Sequence, residues 1–232
     1  MKHPIKAVLF DLDDTLWPIN PVIAKAELVL HAWLAIHAPK VARMFTMDEL
    51  RARRMALIET DARYRIELRA VRHAGLTEAF VAAEDDATRV KAAMAVFDRA
   101  RNAVTLYDDV IPGLTRLGSR FATGSISNGI ADLDQIGIAH HFDVSLAAHQ
   151  FGFAKPDTEI FHAACDALKV KPSEAVYIGD DPKADVQGAQ RAGLRGAWMN
   201  RADLQPLRVL PTHIRPDAIL TNLHDLERWL TF

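Results

Sequence analysis

From about Val104 onward, short apolar runs alternate with helix-like stretches. RFATGSIS, FDVSLAA, AVYIG, LRGAWM and DAIL are separated by segments such as DTEIFHAACDAL and KADVQGAQRAG. Strands alternating with helices imply a parallel sheet covered on both faces, because a parallel crossover needs a connection about as long as a helix. KAVLF near the N-terminus belongs to the same set. In DTEIFHAACDAL, residues Ile160, Phe161, Ala164, Cys165 and Leu168 fall on one helical face. Asp157 stands where a helix N-cap is expected, and Gly193 where the following helix should close.

Residues 18–103 have a different texture, with helical spacing throughout and no strand pattern. PVIAKAELVLHAWLAIHA repeats apolar residues at Val22, Ala26, Val29, Trp33 and Ile36, which predicts one amphipathic helix. Thr46 and Glu49 have capping-box spacing ahead of the next helix. Gly75 is expected to end that helix, and Thr88 to Ala103 to supply another. Trp33 and Phe97 read as bundle core. The expected architecture is therefore a Rossmann-like α/β domain formed by residues 1–17 and 104–232. An all-helical domain of residues 18–103 interrupts it just after the first strand.

Half of the 232 residues are apolar, enough for a sizeable core. The formal charge of -2, with acids and bases intermixed, gives no global field for nucleic acid or an anionic membrane, so neither is expected as a partner. The single cysteine, Cys165, excludes an intrachain disulfide and reads as a buried, inert thiol. Lys2 and His3 lead directly into a strand-like run, and no apolar stretch reads as long enough to span a bilayer. A cytoplasmic protein is the expectation.

In open parallel sheets, ligands bind beyond the carboxyl ends of the strands. After KAVLF comes Asp11-Leu12-Asp13-Asp14-Thr15, and after RFATGSI comes Ser127-Asn128-Gly129. After DVSLAA a loop ends in Lys155-Pro156-Asp157, and after AVYIG come Asp180, Asp181 and, a turn later, Asp185. Clustered carboxylates repel one another and lose hydration when buried, so a cation is required to make them tolerable. Asp11 and Asp180 together suit a hard divalent ion held by oxygen. With that ion and a lysine nearby, Asp11 can stay ionised and attack a phosphoryl group. Asp13 can protonate the leaving oxygen and then activate water. Ser127, the amides that follow it and Lys155 can hold phosphoryl oxygens.

Other charged groups have plainer readings. Asp108-Asp109 reads as a solvated loop, and His140-His141 lacks a partner set with metal spacing. The clusters Arg51, Arg53, Arg54 and Arg65, Arg69, Arg72 read as solvated helix faces paired with Glu59, Glu67 or Asp61. Aiming one guanidinium at an anionic substrate group is the functional alternative. Trp17, just past the first acidic cluster, reads as packing or as a stacking platform.

Four ordered motifs make the chain resemble the haloacid dehalogenase superfamily. They are DxDxT at Asp11 to Thr15, a serine at Ser127, a lysine at Lys155, and GDxxxD at Gly179 to Asp185. A helical insertion directly after the first motif is similar to that family's C1-type cap. The resemblance implies Asp11 as nucleophile through an aspartyl-phosphate, and Asp13 as general acid and base. It implies Mg²⁺ on the Asp11 carboxylate, the Asp13 carbonyl and Asp180. Ser127, Asn128 and Lys155 would bind the phosphoryl group, with Asp185, Asp181 and Thr15 supporting the set from behind. Carbon–halogen-cleaving relatives generally lack the second aspartate of DxDxT, so Asp13 favours phosphatase chemistry on a small phosphorylated metabolite. A phosphomutase shares every one of these motifs. A non-catalytic receiver-like module would be about half as long and would lack the helical insertion.

Overall fold

The computed structural model describes residues 4–202 and 208–231; Lys2 and His3 lie outside them. The chain divides into two compact units, one of Met1–Ile19 with Thr105–Phe232 and one of Asn20–Val104.

The first unit is built on six parallel strands: β1 (Ala7–Phe10), β2 (Ala122–Ser127), β3 (Val144–Ala147), β4 (Ala175–Gly179), β5 (Arg195–Met199) and β6 (Ala218–Leu220). Their order across the sheet is β3-β2-β1-β4-β5-β6, so the winding reverses at β1. β1 and β4 are buried at every position, as strands covered on both faces must be. The edge strands β3 and β6 are only partly buried. All six apolar runs read as strands in the sequence are strands in the structure.

The second unit contains helices α1 (Ile19–His37, its first residue in the other unit), α2 (Pro39–Met44), α3 (Met47–Thr60), α4 (Leu68–Ala82) and α5 (Val90–Arg101). The first unit adds α6 (Val110–Gly118), α7 (Leu133–Ile136), α8 (Ala148–Phe151), α9 (Thr158–Ala167), α10 (Gly188–Arg191) and α11 (Leu223–Thr231). The capping box at Thr46 and Glu49 forms as expected, and Asp157 caps α9 by accepting from the Glu159 amide. Gly193, just past α10, takes φ +87, a left-handed conformation that a side chain resists. Cys165 is fully buried, and burial raises its thiol to about 11.

Several local readings need correction. The buried stripe of α1 is Val22, Ala26, Leu30 and Leu34, at steps of four, whereas Val29 and Ile36 are exposed. The helix is apolar nearly all round, so periodicity alone could not select its packed face. For the same reason α1, 19 residues with a mean hydropathy of 1.3, does meet the length and composition of a membrane-crossing helix. Its inner stripe packs with Phe80, Met94 and Phe97 in the helical unit's core. Gly75 does not end a helix but lies buried inside α4; α3 ends earlier, where Asp61 turns extended. Trp33 only borders the core and stacks on His37.

Glu27, buried in the middle of α1, is the charged centre of the helical unit. It accepts from Arg51 and from Arg54 at 2.8 Å, and lies 3.8 Å from Arg72. The partners of these arginines are therefore not Glu59 and Glu67; Arg69 pairs with Asp98 and Arg63 with Asp61. Burial alone would raise the Glu27 carboxyl, but the two hydrogen-bonded guanidiniums hold it below its ordinary value. Burial and the charge of Arg54 depress Arg72 to about 9, while its guanidinium covers the Phe97 ring at 3.4 Å. No residue of α3 is fully buried; Leu50 borders the core, and Arg51 and Arg54 tie the helix to Glu27. Replacing Glu27 by Ala leaves Arg72 and Arg54 without their common counter-charge and should cost about 3–5 kcal/mol. Urea unfolding at neutral pH measures this, and a loss below about 1 kcal/mol would show the network to be incidental.

Candidate active site

The winding reversal places the loops after β1 and β4 side by side. Phe10 pairs with Ile178 in register, and the Asp11 amide donates to the Ile178 carbonyl at 2.8 Å. The segment after β1 is a tight turn. Leu16 N bonds to Leu12 O at 2.8 Å, Asp14 N bonds to Trp17 O at 2.7 Å, and Asp14 sits at φ 62. Aspartate tolerates that left-handed conformation better than most residues. Here its carboxylate also accepts from the Ile19 amide at 2.9 Å.

Lys155 reaches this point from the loop after β3. Its ammonium lies 2.5 Å from Asp11 Oδ1 and 2.8 Å from Asp185 Oδ1, and donates to the Tyr177 hydroxyl at 2.7 Å. Tyr177, on β4, donates its own O–H to the Ile126 carbonyl at 2.7 Å. Burial would depress Lys155, but Asp11 and Asp185 overcome that and hold the ammonium protonated well beyond its ordinary range. Asn128 locks the lysine's main chain from both sides: its amide donates to Lys155 O at 2.9 Å and its carbonyl accepts from Lys155 N at 2.8 Å. The Asn128 side chain thus fixes the backbone of Lys155. Ser127 is buried at the end of β2, its hydroxyl accepting from the Gly129 amide at 2.9 Å. Thr15 Oγ1 approaches Asp11 Oδ2 at 3.5 Å.

Asp11, Asp180 and Asp185 are all buried, and each offers one oxygen within 4.8 Å of the others. Asp13 contributes no side-chain oxygen to this group. Its carboxylate accepts from the Trp17 indole N–H at 2.9 Å, and Trp17 is fully buried. Trp17 therefore positions Asp13, a role neither packing nor stacking anticipated. Asp185 accepts from the Asp181 amide at 2.8 Å, and Asp181 caps the following turn through the Lys183 and Ala184 amides. Gly179 leaves room for this, because a Cβ there would overlap the Asp185 carboxyl.

Burial is the main force on all three acids. It raises Asp11 against the pull of Lys155, lifts Asp180 to about 9 with help from Asp11, and lifts Asp185 to about 6. Asp180 Oδ2 and Asp185 Oδ1 are sealed from water, and each faces one cation, Arg208 for the first and the Lys155 ammonium at 2.8 Å for the second. Buried carboxylate oxygens left in that condition, in a set of three, fit a hard divalent ion that takes oxygen ligands.

Two arginines lay outside the sequence reading. Arg208 pairs with Asp14, Asp180 and Asp181. Arg201 donates to the Thr15 carbonyl at 2.9 and 3.0 Å and to Asp109 at 2.8 Å. Asp109 is thus no solvated loop residue, and it also accepts from the Leu223 amide at 2.6 Å. Partners so distant in sequence leave no local periodicity to read.

Tyr177→Phe removes a buried hydroxyl that serves both Lys155 and Ile126, and should lower unfolding free energy by about 1–3 kcal/mol. An unchanged urea midpoint would remove Tyr177 from the account. A second expectation concerns pH. Asp180 and Asp185 have folded values raised above their unfolded ones, so their stability contribution is present at low pH and lost as pH rises. In chelator, wild type should lose stability relative to Asp180→Asn as pH rises from about 4 to about 9. Paired thermal melts across that range check the sign.

A family model described as haloacid dehalogenase-like hydrolase matches residues 5–193. The Escherichia coli 5-amino-6-(5-phospho-D-ribitylamino)uracil phosphatase YigB is 27% identical over 227 residues, covering 96% of this chain and 94% of that protein. A glyceraldehyde 3-phosphate phosphatase from Methanopyrus kandleri is 33% identical, covering 88% of this chain and 87% of its own. Among solved structures, a 2-haloacid dehalogenase from Pseudomonas syringae pv. tomato is 36% identical, with TM-score 0.87 over 97% of this chain and 99% of that one. With its four motifs gathered at one edge of a parallel sheet, the chain belongs to the haloacid dehalogenase-like hydrolases.

Proposed function

We propose that this hydrolase is a Mg²⁺-dependent phosphatase acting on a small phosphomonoester, with the helical unit setting substrate choice. The observation that carries the reading is Asp13, two residues from Asp11, its carboxylate held by the Trp17 indole. Phosphate-ester cleavage needs a proton for the departing alkoxide, and Asp13 is the group available to give it.

The Asp11 carboxylate attacks phosphorus, and the bond from phosphorus to the ester oxygen breaks. Asp13 delivers its proton to that oxygen, releasing an alcohol and leaving an aspartyl-phosphate. Asp13, now ionised, takes a proton from water, whose oxygen attacks phosphorus; phosphate leaves and Asp11 is restored. Lys155 and Ser127 hold the phosphoryl oxygens, and Lys155 keeps Asp11 ionised and aimed. Asp11, Asp180 and Asp185 offer the oxygens for Mg²⁺, with the Asp13 carbonyl as a further donor. That ion, when bound, neutralises the charge of the phosphoryl group and of the acids around it.

The likeness to a 2-haloacid dehalogenase structure supports a second reading, in which Asp11 attacks carbon and expels halide. That chemistry needs no proton donor and leaves Asp13 idle. Both p-nitrophenyl phosphate and 2-chloropropionate should therefore be assayed, with Mg²⁺ and with chelator. Phosphate-ester turnover should require the metal and vanish in Asp11→Asn. Asp13→Asn should lose about 10²- to 10⁴-fold. Chloride release that persists in chelator, without ester turnover, would hand the site to the second reading.

A further inference from the structure

Two cations divide the acids of the site between them. Lys155 serves Asp11 and Asp185, and Arg208 serves Asp14, Asp180 and Asp181. The two are held very differently. The Lys155 side chain is 3% exposed and is fixed by Tyr177 and by Asn128 on its main chain. The Arg208 side chain is 37% exposed, and its partners among the described residues are these three carboxylates. Its Nε lies against Asp180 Oδ2, with Nη1 3.3 Å from Asp181 and Nη2 3.5 Å from Asp14. Asp180 Oδ2 is sealed from water, and this guanidinium is its local counter-charge.

We propose that Arg208 is a tethered counter-cation that competes with the divalent ion for the Asp180 carboxylate and so sets the metal affinity of the site. The inference rests on the metal-dependent reading above. A guanidinium and a divalent ion cannot both sit against one carboxylate oxygen, because like charges so close repel strongly. The ion has the higher charge density and takes oxygen at about 2.1 Å, so it wins once its concentration suffices. The guanidinium is weakly hydrated on a long stem and already partly in water, so it can swing out to solvent, giving up chiefly its contacts with these acids. Without the ion it keeps the acids neutralised and the loops after β1 and β4 together. The cost of displacing it raises the concentration of metal that the site needs.

The test is direct metal binding, independent of turnover. Mn²⁺ and Mg²⁺ are titrated by calorimetry into chelator-stripped wild type, Arg208→Gln and Arg208→Lys. Apparent affinity is reduced by the fraction of molecules whose site is free, so Arg208→Gln should tighten Kd about five- to fiftyfold, with Arg208→Lys between. Stripped Arg208→Gln should also melt lower than stripped wild type, yet gain more from added metal. An unchanged or weakened Kd in Arg208→Gln overturns the proposal. So does an unchanged Kd with weaker inorganic phosphate binding in Mg²⁺, which would make Arg208 a phosphate ligand. Metal binding with the expected order of Kd values, but without ester turnover in wild type, counts against the phosphatase reading alone. Absence of metal binding in all three removes this inference and the metal-dependent reading together.

Discussion

The contact between the Lys155 ammonium and the Asp11 and Asp185 carboxylates underlies the whole site. Three aspartates converge on the carboxyl ends of β1 and β4, the most deeply buried strands of the sheet. Without a counter-charge, burial would protonate them or push the loops apart. Lys155 opposes this from the loop after β3, so β3 and its loop supply the charge that favours the ionised form of Asp11. Tyr177 and Asn128 exist, in effect, to keep one ammonium in one place. That rigidity distinguishes a reactive carboxylate from a merely buried one.

Much of this was legible in the sequence, because the informative residues stand directly after strands. The strand runs were apolar and short, the loops between them were polar, and a parallel sheet can gather acids, a hydroxyl and a lysine only at one edge. What stayed hidden were pairings across long separations. Trp17 looked like packing because a buried indole usually is packing, yet its N–H finds Asp13 four residues back. Tyr177 looked like one more apolar position of a covered strand, although its hydroxyl reaches two groups. Asp109 looked solvated because its partner Arg201 lies 92 residues away. The face of α1 was misjudged for the opposite reason, since too many of its positions were apolar to discriminate between stripes.

The helical unit obeys a different logic. Its apolar core joins α1, α2, α4 and α5; α3 borders that core through Leu50 and is tied to α1 by charge. A carboxylate buried among three guanidiniums specifies position more than it adds stability, since burying charge costs nearly what pairing returns. Arginines that look like candidates for substrate contact are thereby committed to the unit's own architecture. Arg51, Arg54, Arg69 and Arg72 all have partners within it, which is why basic residues in this stretch say little about what the enzyme accepts.

Arg201 carries one more implication. It holds the carbonyl of Thr15, in the motif loop, and Asp109, which in turn holds the start of α11. Both Arg201 and α11 lie past residue 193, the last that the family model matches. The Thr15 carbonyl is thus braced by residues outside the four motifs. Two chains with identical motifs can therefore differ in how stiffly they carry Asp11 without differing at any motif residue.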